Sequence, residues 1–96
     1  MIKKYLTDEE IQIVYNKFEK SIINNLNIDN VDKIITFLEK KEVYYIKDML
    51  VDYLDLFVFP YGEFIKKFNN LCNKYGENTI YKIGDNMSML EEMYNI

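Results

Sequence analysis

The 96-residue chain is long enough for one hydrophobic core and too short for two ordinary domains, so we expect a single domain over residues 1–96. Hydrophobic residues make up 49% of it, which excludes an intrinsically disordered chain. Sixteen acidic residues against 12 lysines, with no arginine, give a net charge of -4. This charge disfavours direct nucleic-acid binding, which requires cationic side chains to neutralise phosphates.

Cysteine content and hydropathy disfavour two further classes of protein. The single cysteine, Cys72, cannot form an internal disulfide, so nothing indicates an oxidising compartment. The longest apolar run, at residues 56–59, is far too short to cross a membrane. No apolar run follows the basic pair Lys3-Lys4, as it would in a signal peptide. We therefore expect a cytoplasmic protein that has no membrane partner.

The first helix is predicted to begin at Thr7, because Thr7 and Glu10 have the spacing of a capping box. Apolar residues then recur at helical spacing over the following turns. They are Ile11, Val14, Phe18, Ile22 and Leu26. Because Asn24, Asn25 and Asn27 weaken helical structure, we expect this helix to end among them.

A second helix is predicted to follow, with either Asn27 or Asp29 as its N-cap. Its apolar stripe has the spacing of one buried helix face. The stripe consists of Val31, Ile34, Ile35 and Leu38. Residues 40–42 contain neither glycine nor proline, so the sequence does not mark where this helix ends.

Residues 43–59 are apolar around most of a helical circumference, which predicts one central and largely buried helix. The β-branched and aromatic residues at 56–59 leave a strand there as an alternative. Pro60 is expected to end this element, whichever of the two forms, because a proline disfavours helical geometry at the residue before it.

The C-terminal part is predicted to contain a long helix that ends at Gly76, followed by two short ones. The apolar stripe of the long helix consists of Phe64, Ile65, Phe68, Leu71, Cys72 and Tyr75. One short helix is predicted around residues 80–83. Ser88 and Glu91 have the spacing of a second capping box, for a last helix that extends through Met93. The chain as a whole predicts an all-α fold, a compact bundle of four to six helices.

Apolar residues also recur at a constant offset between the middle of the chain and its C-terminal part. The pairs are Ile46 with Ile80, Met49 with Ile83, and Leu56 with Leu90. A period of this length is typical of helical repeat arrays, although such arrays need roughly three copies to be stable. The pattern resembles helical repeats of the mitochondrial transcription termination factor type, but the chain lacks their basic surface and we assign no membership. A degenerate helical-repeat arrangement is therefore a hypothesis.

Several kinds of catalytic site are excluded by composition. The chain has no histidine, so Ser-His and Cys-His nucleophile pairs are impossible. One cysteine is too few for a zinc site, and the three glycines are too isolated for a phosphate-binding loop. Pairs of carboxylates could serve acid–base chemistry, but 16 acids in 96 residues produce such pairs by chance. We therefore expect no enzymatic activity, no metal and no cofactor.

Four residues of the predicted central helix fall within an arc of roughly 80° at helical spacing. They are Tyr45, Asp48, Asp52 and Asp55. One interpretation is the solvent-exposed side of an otherwise buried helix. The other is a binding face for a basic protein surface, because acidic patches accelerate and orient such encounters. We take these four residues as the candidate partner-binding site.

The functional hypothesis is a non-catalytic protein-binding module whose partner is a protein with a basic surface. Small acidic inhibitors of phage or plasmid origin, of the anti-CRISPR or immunity type, share this size and charge. By that analogy the chain would occupy the basic surface of a nucleic-acid-processing enzyme. The alternative is a structural or regulatory helical module that forms a homodimer through an apolar face.

Overall fold

The computed structural model describes residues 2–95, which contain six α-helices and three short 3₁₀ helices. The α-helices are α1 (Asp8–Lys17), α2 (Lys20–Asn24), α3 (Ile28–Lys40), α4 (Ile46–Asp52), α5 (Tyr61–Tyr75) and α6 (Thr79–Asp85). The 3₁₀ helices are Ile2–Lys4, Leu54–Val58 and Met87–Asn95. Residues 2–95 include no strand, so the predicted all-α fold class is confirmed and the strand alternative is wrong.

All six α-helices bury apolar side chains in one continuous core. Its centre lies between α3 and α5, where the ring of Phe37 packs edge-on against Phe68 at 5.7 Å and against Phe64 at 6.5 Å. The first 3₁₀ helix packs against α1, and α1 packs in turn against α4. None of the helices described in residues 2–95 combines the length and apolar character needed to cross a bilayer.

The predicted helix over residues 7–26 is two helices in the structure. Its N-terminal capping box is confirmed, because the Thr7 hydroxyl accepts from the Glu10 amide at 3.2 Å and the Glu10 carboxylate accepts from the Thr7 amide at 2.8 Å. The chain then leaves helical geometry at Phe18, where φ is -110° and ψ is 147°. The break directs α2 against the second 3₁₀ helix. A straight helix would instead carry Ile22 and Leu26 past the end of the core.

The predicted central helix over residues 43–59 is also divided. Only α4 is α-helical, and Tyr53, with φ -135° and ψ 40°, separates it from the 3₁₀ helix Leu54–Val58. A straight helix of that length would be about 25 Å long and would need apolar cover on every side. The change of direction at Tyr53 instead lets the 3₁₀ helix bury Leu54 and Phe57 completely.

The capping residues of the other helices differ in how well the sequence predicts them. Asn27 caps α3, because its side chain accepts from the Asn30 amide at 3.1 Å. Gly76, with φ 88°, ends α5 as predicted. The second capping box is wrong, because the Ser88 hydroxyl donates to the Asn86 side chain at 2.6 Å and a 3₁₀ helix forms instead. Gly84 lies inside α6 and does not interrupt it.

The end of α3 is a Schellman motif formed without glycine. The Glu42 amide donates to the Glu39 carbonyl at 3.0 Å, and the Val43 amide donates to the Leu38 carbonyl at 3.1 Å. Val43 and Leu38 are both buried, which supplies the hydrophobic contact of the motif. Glu42 therefore adopts φ 61°, a left-handed conformation that costs energy for any residue with a side chain.

Replacing Glu42 with glycine is expected to raise the free energy of unfolding by about 0.5–1 kcal/mol, because glycine adopts this conformation without steric cost. Glu42→Ala is the matched control, since it removes the same carboxylate but keeps a Cβ atom. Denaturant unfolding of the three proteins measures the effect. An alanine variant as stable as the glycine variant would show that charge, and not backbone conformation, governs this site.

The recurring apolar pairs correspond to a repeated order of elements. The succession α3, α4 and a 3₁₀ helix is followed by α5, α6 and another 3₁₀ helix. Buried positions of α3 recur in α5 at one constant offset along the chain. Those of α4 and the second 3₁₀ helix recur in α6 and the third 3₁₀ helix at an offset that is one residue longer. The pairs are Val31 with Phe64, Ile34 with Lys67, Ile35 with Phe68, Leu38 with Leu71, Met49 with Ile83, and Leu56 with Leu90. The two halves of the chain thus share an order of helices and several buried positions, and the repeat remains a hypothesis.

Candidate protein-binding site

The four residues predicted to form an acidic column do not share one surface. Tyr45 lies in the core with 5% of its surface exposed, and its hydroxyl donates to the Ile80 carbonyl at 2.7 Å. Burial, with smaller contributions from Tyr44 and Cys72, raises the pKa of Tyr45 above its ordinary value. Its expected place beside the acids is wrong, because the chain before α4 is not helical and turns this side chain inward.

The three aspartates of the column separate where the predicted helix breaks. Asp48 is exposed in the first turn of α4, Asp52 is the last residue of that helix, and Asp55 belongs to the following 3₁₀ helix. Asp52 and Asp55 nevertheless line one open groove of about 530 Å³, from which Asp48 is absent. The lining residues are Lys17, Phe18, Asp52, Tyr53, Asp55, Met87, Glu91 and Tyr94. We call this feature the acidic groove.

Four segments that are distant in the sequence position the side chains of the acidic groove. The end of α1 supplies Lys17, and the end of α4 supplies Asp52. The two 3₁₀ helices supply Asp55 on one side and Glu91 and Tyr94 on the other. The break at residue 53 is what brings these segments together, because a continuous helix would carry Asp55 onward along its axis and away from α1.

Two contacts organise the charges of the acidic groove. The Lys17 ammonium lies 2.8 Å from Asp52 Oδ1, with both side chains 46% exposed. Asp55 Oδ1 accepts a hydrogen bond from the Tyr94 hydroxyl at 2.6 Å. Three carboxylates therefore line the groove against one ammonium group, and that ammonium is already paired with Asp52. The groove presents a net negative charge to a partner.

Two tyrosine hydroxyls in the acidic groove act as hydrogen-bond donors. Burial raises the pKa of Tyr53, and the nearby Glu91 and Asp52 carboxylates raise it further. Burial also raises the pKa of Tyr94, together with its hydrogen bond to Asp55. Both hydroxyls therefore stay protonated at neutral pH, which adds polar contacts to the carboxylates of the groove. In residues 2–95, no three His, Cys, Asp or Glu side chains lie close enough together to hold a metal ion.

The residues predicted from the sequence include only two of the eight that line this site, Asp52 and Asp55. Lys17, Glu91 and Tyr94 are all far from Asp52 along the chain, and no local pattern connects them with it. Periodicity predicted Asp52 and Asp55 as exposed acids of one segment; the structure places both in the groove, with Asp52 exposed and Asp55 half-buried. Only contacts between distant segments could add the remaining residues.

Three comparisons with known proteins, against protein-family models, curated protein sequences and solved structures, each returned no significant match to this chain. Its function has to be inferred from its own residues.

Proposed function

We propose that this protein is a non-catalytic binding module whose acidic groove receives basic side chains of a protein partner. The observation that carries the proposal is the convergence of Asp52, Asp55 and Glu91 on one open groove that contains a single, already paired lysine. Lysine or arginine side chains from a partner would meet carboxylates that remain in contact with water. Such contacts act mainly on encounter rate and orientation.

The aromatic residues of the groove add contact area to this charge. Phe18, Tyr53 and Tyr94 line the same surface as the carboxylates, and Tyr94 is 39% exposed. Tyrosine is enriched in protein interfaces because its ring packs while its hydroxyl forms a hydrogen bond. The rings also attract cations through their π faces. Charge and aromatic surface thus favour the same class of partner, a basic protein.

The narrower form of the proposal is an inhibitor of a nucleic-acid-processing enzyme. Carboxylates spaced along a groove carry the charge that phosphates carry along a nucleic-acid backbone. A basic substrate channel that binds phosphates would therefore also attract this groove. Two observations support this form, the negative charge of the groove and the small size of the chain.

Homodimerisation through an apolar face has less support. The large hydrophobic side chains exposed in the described residues are Ile13, Tyr15, Tyr44, Tyr61, Tyr81 and Tyr94. Five of these six are tyrosines, and the one aliphatic residue lies on α1. An interface core resembling a divided hydrophobic core would require a larger aliphatic patch.

Changing the groove carboxylates to amides, in the variant Asp52→Asn/Asp55→Asn/Glu91→Gln, tests the proposal directly. A nonalysine peptide at low salt serves as the probe, and calorimetric titration measures its affinity. We expect the variant to bind about 3- to 100-fold more weakly, the range that three exposed ion pairs together give. We also expect its affinity to depend less steeply on salt concentration, because fewer charges are neutralised on binding.

The matched control removes three exposed acids elsewhere, in the variant Asp29→Asn/Glu39→Gln/Glu77→Gln. Both variants change the net charge equally, so only the position of the charge differs. Both should unfold at nearly the same denaturant concentration as the parent chain, because surface ion pairs contribute little to stability and Asp55→Asn keeps an oxygen that can accept from the Tyr94 hydroxyl. If both variants bind the peptide equally weakly, the binding depends on overall charge, and the groove is not the binding site.

A further inference from the structure

A pair of exposed tyrosines, Tyr44 and Tyr81, lies outside the acidic groove. The rings of Tyr44, just before α4, and of Tyr81, on α6, have centroids 6.2 Å apart with their planes tilted by 36°. Their exposed fractions are 64% and 65%, the largest among the big hydrophobic side chains of the described residues. Two large rings that lie against each other and remain this exposed form an aromatic surface that is open to a partner.

The position of Tyr44 is set by the residues around it. Its ring packs edge-on against the buried Tyr45 ring at 4.9 Å. Its hydroxyl lies over Gly84, where a Cβ atom would overlap the hydroxyl oxygen. Glycine within a helix costs stability relative to alanine, and here it makes room for the Tyr44 side chain. The Tyr44 ring is therefore held in place before any partner binds, which lowers the entropic cost of binding.

Two exposed aspartates belong to the same short segments of the chain as this pair, and two lysines neighbour them. Lys47 lies 3.3 Å from the Glu10 carboxylate, and Lys82 donates to the Tyr75 carbonyl at 2.8 Å. Asp85 is exposed one turn after Tyr81, on the same face of α6. Asp48 is exposed in the first turn of α4, and neither aspartate forms an ion pair or hydrogen bond within the described residues. The Asp48 and Asp85 carboxylates are thus available to a partner, while the Lys47 and Lys82 ammonium groups each already contact an oxygen atom of the protein.

We propose that Tyr44 and Tyr81 receive an arginine side chain of the same basic partner, with Asp48 and Asp85 as its counter-charges. A guanidinium group is planar, stacks on aromatic rings more often than an ammonium group does, and binds carboxylates through paired hydrogen bonds. This inference rests on the proposed function and adds to it a second contact and a preference for arginine over lysine.

The test compares nonaarginine with nonalysine, two peptides of equal charge, by calorimetric titration. We expect the parent chain to bind nonaarginine about threefold more tightly or better, since cation–π contacts favour guanidinium. The variant Tyr44→Leu/Tyr81→Leu should lose this preference, because leucine retains apolar surface but has no π face. The variant Tyr44→Phe/Tyr81→Phe should retain the preference. The variant Tyr15→Leu/Tyr61→Leu, which changes two other exposed tyrosines, is the matched control and should also retain it.

The outcomes separate this inference from the proposed function. Equal binding of the two peptides that depends on Asp52, Asp55 and Glu91 would support the groove and overturn the arginine contact. An arginine preference that needs Tyr44 and Tyr81 but not the groove carboxylates would support the pair and overturn the groove. Binding of neither peptide would overturn both. A dimer in sedimentation that the leucine variant abolishes would assign the pair to a second copy of the chain and also overturn the inference.

Discussion

Replacing Phe68 with alanine is expected to lower the free energy of unfolding by about 3–5 kcal/mol, the usual range for emptying a large aromatic site. Phe68 is fully buried in α5, and its ring packs edge-on against Phe37 of α3 and stacks with Phe64 one turn earlier. Its loss would leave a cavity between the two longest helices, which form the centre of the core. Urea unfolding followed by circular dichroism measures the change.

The effect of Phe68→Ala is compared with that of a second core substitution and of a surface substitution. Leu54 is fully buried at the start of its 3₁₀ helix, and Leu54→Ala should lower the free energy of unfolding by about 2–5 kcal/mol. Tyr15→Ala is the control, because that ring is 53% exposed on α1, and its effect should stay within about 0.5 kcal/mol. Midpoints for Phe68→Ala and Leu54→Ala that match the parent chain would show that the buried faces are assigned incorrectly.

Changing Asn30 to alanine is expected to lower the free energy of unfolding by about 2–4 kcal/mol, because three hydrogen bonds are lost together. The Asn30 amide group donates to the Phe57 carbonyl at 3.3 Å and to the Phe59 carbonyl at 2.8 Å. Its side-chain oxygen accepts from the Tyr61 amide at 2.8 Å. One side chain thus connects α3 with the turn at Pro60 that leads into α5. Denaturant unfolding measures the loss.

One substitution separates the hydrogen bonds of Asn30 from its volume, and a second one is a surface control. Asn30→Asp keeps the size and the acceptor for Tyr61 but loses the two donated bonds and places a charge near carbonyl oxygens, so it should also destabilise the fold. Asn73→Ala changes an exposed asparagine of α5 and should have little effect. An Asn30→Ala variant as stable as the parent chain would mean that water replaces all three contacts.

One buried position of α5 is occupied by a lysine. Lys67 of α5 corresponds to Ile34 of α3 and is also buried, with its ammonium 5.1 Å from the centre of the Phe59 ring and 3.9 Å from the Glu63 carboxylate. A lysine can occupy an apolar position of this kind because its hydrocarbon stem packs while its charged end reaches a partner. The core therefore accommodates a charged residue of α5 at a position where α3 has an aliphatic one.

Local chemistry determined much of this protein from its sequence. The capping box at Thr7, the stop at Gly76 and the buried faces of α3 and α5 follow from neighbouring residues, which also limit the cap of α3 to Asn27 or Asp29. Hydrogen bonds to free helix ends and the burial of one apolar stripe act within a few residues, so a sequence pattern records them directly. The all-α fold class follows from the same patterns.

Tertiary structure alone decided where the predicted helices break and which acids meet. Apolar periodicity continues through Phe18 and Tyr53, so the pattern there is the same for a straight helix and for a broken one. The breaks form because a short chain must fold back to cover its own apolar surface, and that requirement acts between distant segments. The break at Tyr53 buries Leu54 and places Asp55 in a groove with Glu91, which no pattern of neighbouring residues could indicate.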